Sequence, residues 1–135
     1  MKDSVSAKEL FTIQNNFDGG FRIDKVLDEA GQPPASFINK TMMRINLEQP
    51  LLPGAQMTFQ VDWHYKINDR MSLGGRSGYE YFPKDDNYSY TIAQFYPRMA
   101  VYDDVEGWQN KQFLGRGEFA LSFGNFEVAM TVPED

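Results

Sequence analysis

The chain has 135 residues, 41% of them apolar and 15% aromatic, with formal net charge −6 and no cysteine. These values indicate a folded globule with room for a core and exclude a disordered segment. The negative balance and scattered Lys and Arg exclude nucleic acid or an anionic membrane as the default partner, and zero cysteines exclude disulfides, thiol nucleophiles and Cys-ligated zinc.

No window approaches eighteen apolar residues, so no membrane span is expected, and MKDSVSAKEL lacks the apolar core of a signal peptide. Residues 1–10 read as a frayed polar lead-in. Leu10, Phe11 and Ile13 suggest a weak first strand, ended by Asn15-Asn16 and Asp18-Gly19-Gly20. Phe21, Ile23 and Val26-Leu27 form the next apolar set, closed by the turn-rich DEAGQPP. Phe37-Ile38 and then Met43, Ile45 and Leu47 predict one longer strand, and QPLLPG reverses the chain after it.

Residues 55–67 carry the clearest signal of the first half. Met57, Phe59, Val61, Trp63, Tyr65 and Ile67 occupy the odd positions and polar residues separate them, as a strand with one covered face requires. The polar, Gly-rich 68–78 reads as a loop, and Tyr79, Tyr81, Tyr88, Tyr90 and Ile92 resume strand character around FPKDDN. No amphipathic helix is visible; a short helical turn is the most that Asp103–Gln112 could hold. Phe119, Leu121 and Phe123, then Gly124-Asn125, then Phe126, Val128, Met130 and Val132 predict a β-hairpin. The expected architecture is one all-β domain over 1–135, an antiparallel sandwich or saddle. It stops after a strand, so further strands are expected downstream, and an unpaired edge could be covered by a second copy in a homo-dimer.

The most distinctive wording is TIAQFYPRMAVYDDVEGW, at 91–108. It resembles the segment written TQ-F-x-P…AR…P-x-x-DEP in aminopeptidase N-like zinc metallopeptidases (gluzincins), and is closest to a bacterial branch of that family. The resemblance is weak from about Phe21 and strong from Tyr79 to the end. In that family the segment lies in the non-catalytic, all-β N-terminal domain. The resemblance therefore implies a domain that packs on a catalytic domain, absent here, and walls the cleft near the peptide substrate's N-terminus. It implies zinc in that catalytic domain and no cofactor in this chain. It also favours export of the parent protein, whereas the sequence itself leaves the compartment open.

Catalysis in the family needs HExxH, two His one turn apart with a Glu base. This chain has one His, His64, on the polar face of the 55–67 strand, so it is expected to be no enzyme by itself. By match to the motif, Gln94 occupies the place of the Gln that reaches the substrate cleft; a strand-end Gln satisfying backbone groups is the competing reading. Arg98, Asp103 and Asp104 are expected to form a structural ion-paired knot, although Pro97-Arg98-Met99 and Asp103-Asp104-Val105 depart from the usual AR and DEP. Trp108, after Gly107, is the candidate exposed or interface aromatic. With nearby tyrosines it supports an alternative function, a free-standing β-sandwich module binding glycan or protein. Asp85, Asp86 and Asn87 read as an Asx-turn or an oxygen-rich calcium turn without EF-hand spacing.

Overall fold

The computed structural model describes residues 5–7, 10, 17–112 and 122–133. It is β-rich, with eight short strands among the described residues and little helix, chiefly a four-residue helical turn at Arg70–Leu73. The described residues fall into two compact units, one holding residues up to Ala35 with Ile45–Pro97, the other Ser36–Arg44 with residues from Arg98 onward. No described helix is long and apolar enough to cross a membrane.

The first unit is built on an antiparallel ladder between β1 (Arg22–Asp28) and β4 (Phe59–His64). The predicted alternation holds along β4 and beyond it except at Asp62: Met57, Phe59, Val61, Trp63, Tyr65 and Ile67 are half-buried and Gln56, Thr58, Gln60, His64 and Lys66 exposed, while Asp62 is half-buried too. On β1 the apolar phase slips from Ile23 to Val26. The register explains the slip, because Ile23 faces Trp63 and Lys25 faces Asp62, leaving Asp24 as the extra residue of a bulge. Lys25 pairs with Asp62 at 3.1 Å, and the bulged Asp24 reaches His64 Nδ1 at 2.8 Å. Phe21 meets Tyr65 edge-on at 5.5 Å.

The 68–78 segment is less plain than its Gly content predicts. Asp69 caps the helical turn Arg70–Leu73 by accepting from the Met71 and Ser72 amides and the Ser72 hydroxyl. Gly78 then packs so closely that a Cβ would lie 2.6 Å from the Asn68 carbonyl oxygen, and its φ of +146° is open only to glycine. Strands β5 (Gly78–Phe82) and β6 (Asn87–Thr91) pair antiparallel as expected, with Tyr79 opposite Tyr90 and Tyr81 opposite Tyr88. The four rings share one face, and Tyr88 contacts each of the other three.

In the second part of the chain several expectations change. The single strand predicted over 37–47 is two, β2 (Ser36–Asn39) and β3 (Met42–Ile45), folded at Lys40, whose φ is +54°. Gln112 holds that turn: its Oε1 accepts from the Thr41 amide (3.2 Å) and hydroxyl (2.7 Å), and its Nε2 donates to the Asn39 carbonyl (2.9 Å). Asp103–Gln112, which could hold at most a short helical turn, contributes instead to a small ribbon, β7 (Tyr102–Asp103) with β8 (Gly107–Trp108). Gly107, at φ +73°, supplies the left-handed residue that closes it.

Of the hairpin predicted around Gly124-Asn125, the second arm, Phe126 to Val132, carries no strand; Phe119 and Leu121 of the first arm lie outside the described residues. The apolar side chains of 122–133 are all exposed, and an alternating pattern without a covered face has nothing to fix it as strand. Leu10 donates to the Ser6 carbonyl at 3.0 Å, a helical spacing rather than a strand; the rest of the predicted first strand also lies outside the described residues. The β-strands are grouped as four two-stranded sheets, and no described apolar side chain is fully buried.

Candidate functional site

Gln94 lies three residues beyond the end of β6 and is exposed in a bend with φ +53°. Only two other non-glycine residues among those described are left-handed, Lys40 and Asp86, and each sits in the turn joining two paired strands. Gln94 joins no hairpin, and glutamine gains nothing locally from this geometry, unlike Asn or Asp.

The backbone on both sides is held. Before Gln94, the Ala93 amide donates to Ser77 Oγ (3.1 Å), which itself donates to the Thr91 carbonyl (3.0 Å). After it, the half-buried Trp63 indole N–H donates to the Phe95 carbonyl at 2.9 Å. Trp63 satisfies its one polar atom this way while its ring contributes to the covered side of β4.

The remaining predicted residues fall in the other unit. Asp103 is central to its ribbon: Oδ1 accepts from the Val105 amide (3.0 Å) and the Glu106 amide (2.7 Å), and Oδ2 accepts from Gln109 Nε2. These bonds, led by the Glu106 amide and then Gln109, hold its carboxyl below the ordinary 3.8. Arg98 makes no ion pair with Asp103 or Asp104 among the described residues, and both Arg98 and Asp104 are exposed. The cation near this ribbon is Lys111, paired with Glu106 at 2.6 Å. Trp108 is 53% exposed and meets Tyr102, 64% exposed, edge-on at 5.3 Å with the rings 73° apart. Two rings at that angle form a corner rather than a flat stacking platform.

Asp86 accepts from the Tyr81 hydroxyl at 2.7 Å, so the FPKDDN turn is tied to the tyrosine face. Among the described residues no three His, Cys, Asp or Glu side chains converge as a metal would require. His64 Nδ1 lies 2.8 Å from Asp24 Oδ2, a pair and not a cluster. Sequence reading passed over Trp63, Ser77 and Gln112 as polar contributors. The bonds they make reach residues far along the chain, and no local pattern announces them.

The depressed carboxyls give an acid dependence. Asp69, chiefly through the Ser72 hydroxyl, and Asp62, chiefly through Gln60 and then Lys25, shift in the same direction as Asp103. Each binds its proton less readily folded than unfolded, so its contribution is present above the ordinary 3.8 and is lost as pH falls through the lower folded value. The melting temperature followed by circular dichroism should therefore fall steadily below about pH 4. Asp103→Asn should flatten part of that fall.

No family model, curated protein or solved structure matches the chain.

Proposed function

We propose that the chain is a non-catalytic N-terminal domain, a β-sandwich or saddle, of an aminopeptidase N-like zinc peptidase, and that Gln94 reaches toward the substrate's amino-terminal residue. The observation that carries this reading is the presentation of Gln94. An exposed amide in a left-handed conformation, with the backbone secured on either side, is the arrangement expected where local cost is retained for a positioned side chain. It falls at the position matching the TQ-F wording. A neutral amide suits the task, because it can hydrogen-bond an amino terminus without competing for zinc.

Two further features support the reading. The chain is β-rich, as the family domain is. It also displays apolar side chains such as Phe37, Ile38 and Val105, at 63%, 53% and 87% exposure, of the kind a neighbouring domain would cover. Zinc and the general base would then come from residues outside this chain.

The purified chain should release no aminoacyl reporter with or without added zinc, and zinc-stimulated release would overturn the proposal. In the polypeptide that includes the HExxH domain, Gln94→Ala should raise KM for aminoacyl substrates about 2- to 12-fold, the loss of one ordinary hydrogen bond. Unchanged KM and kcat would remove Gln94 from the cleft. The exposed Tyr102–Trp108 corner favours a second reading, a binding module for protein or glycan. A shift of tryptophan fluorescence on adding oligosaccharide, lost in Trp108→Ala, would support it.

A further inference from the structure

Gln94 does not hold its own conformation. Left-handed backbone places Cβ against the following carbonyl, and a glutamine left to itself takes negative φ. Lys40 and Asp86 are compensated by the hairpins they turn, and Lys40 further by the Gln112 bonds to its neighbours. Around Gln94 the backbone is held by two side chains from distant parts of the same unit, Trp63 on β4 and Ser77 just before β5.

From this geometry we infer that Trp63 and Ser77 are positioning residues for Gln94. The inference rests on the reading of Gln94 as the cleft residue, and specifies how its amide is aimed. Ser77 Oγ is both acceptor and donor: it takes the Ala93 amide at 3.1 Å and gives its proton to the Thr91 carbonyl at 3.0 Å. That ties the Ile92–Ala93 peptide, one before the peptide entering Gln94, to the end of the β5–β6 ladder, where Gly78 faces Thr91. Trp63 opposes Ile23 in the β1–β4 ladder, so its indole is carried by a second pair of strands. Its N–H, 2.9 Å from the Phe95 carbonyl, holds the Phe95–Tyr96 peptide, one beyond the peptide leaving Gln94.

With an anchored peptide one residue before and one residue after its own, Gln94 can relax to negative φ only if Ala93 and Phe95 turn with it or a hydrogen bond breaks. The two ladders together therefore set the direction of its side chain. Tryptophan suits this position because it offers a donor and no acceptor on a large, slowly reorienting ring. Serine suits the other because a hydroxyl can bond a donor and an acceptor at once.

The test uses the isotope-labelled chain and reads the Gln94 φ from its three-bond amide–Hα coupling and intraresidue amide–Hα Overhauser effect. The wild type should show the left-handed signature. Trp63→Phe, which keeps an aromatic ring and removes the N–H, and Ser77→Ala should each move Gln94 toward negative φ, while Ser77→Thr should retain the signature. Cross-strand contacts between Tyr79 and Tyr90 report that the ladder persists in each variant. A left-handed Gln94 in both Trp63→Phe and Ser77→Ala, or a negative φ in the wild type, would overturn the assignment.

Catalysis separates this result from the reading it rests on. In the polypeptide with the zinc domain, Trp63→Phe should raise KM with little change in kcat, and adding Gln94→Ala should raise it no further. If Gln94→Ala leaves KM unchanged while the spectroscopic result stands, the cleft role fails and the clamp remains. Additive effects on KM in the double variant would overturn the positioning role.

Discussion

Trp63→Ala is expected to cost the first unit about 2–3 kcal/mol. Truncating a fully buried Trp costs roughly 3–5 kcal/mol, and Trp63 is half-buried, so its ring accounts for about 2. Loss of the indole bond to the Phe95 carbonyl adds about 1 kcal/mol. Trp63→Phe separates the two parts, because it deletes the donor and keeps most of the apolar surface. Urea unfolding followed by circular dichroism should place Trp63→Phe about 1 kcal/mol below wild type and Trp63→Ala well below both. Equal midpoints for the two variants would mean that the ring contributes nothing beyond its N–H.

Gln112→Ala should produce the second largest change, confined to the β2–β3 hairpin. Three hydrogen bonds converge on one side chain, and all lie at the surface, where water replaces much of what is lost. A net cost of about 1–2 kcal/mol follows, corresponding to roughly 5- to 30-fold faster amide exchange at Thr41. The amides of the β1–β4 ladder should exchange as before. Uniform acceleration across the chain would show that the clasp supports more than its hairpin.

What the sequence discloses depends on whether the cause of a structure is local. The alternation over 57–67 is local and two-residue in period, and it survives as alternating burial even beyond the ends of β4. The pairing of Tyr79–Tyr81 with Tyr88–Tyr90 is equally legible, because FPKDDN separates two short runs of ring residues. By contrast, the break at Lys40 has no glycine or proline to announce it. Its turn is held by a glutamine 71 residues from Thr41, and no window of sequence contains both. The β7–β8 strands, two residues each, are too short to display any period. Asp69 before Arg70–Leu73 was a readable N-cap, obscured by the glycines that follow.

The candidate site divides in the same way. Gln94 and Trp108 are singled out by wording and by their place after a strand or a glycine, and both are exposed. The expected knot of Arg98 with Asp103 and Asp104 follows from charge and proximity in sequence alone. Charge is a poor guide there, because backbone amides and Gln109 take both oxygens of Asp103. A carboxylate already accepting three hydrogen bonds gains less from a nearby guanidinium that also keeps its own hydration.

The bulge at Asp24 has a bearing on how this strand can vary. Elsewhere in a ladder, losing one codon would exchange the covered and open sides of everything beyond it. Here Ile23 and Lys25 already face consecutive partners, Trp63 and Asp62, so the residue between them is outside the count. Deletion of Asp24 would leave Ile23 and Val26 on their present side and would cost His64 its carboxylate neighbour. Codon loss at this one place in β1 is thus compatible with an unchanged ladder, and homologues one residue shorter between Ile23 and Val26 would align without a shift of register.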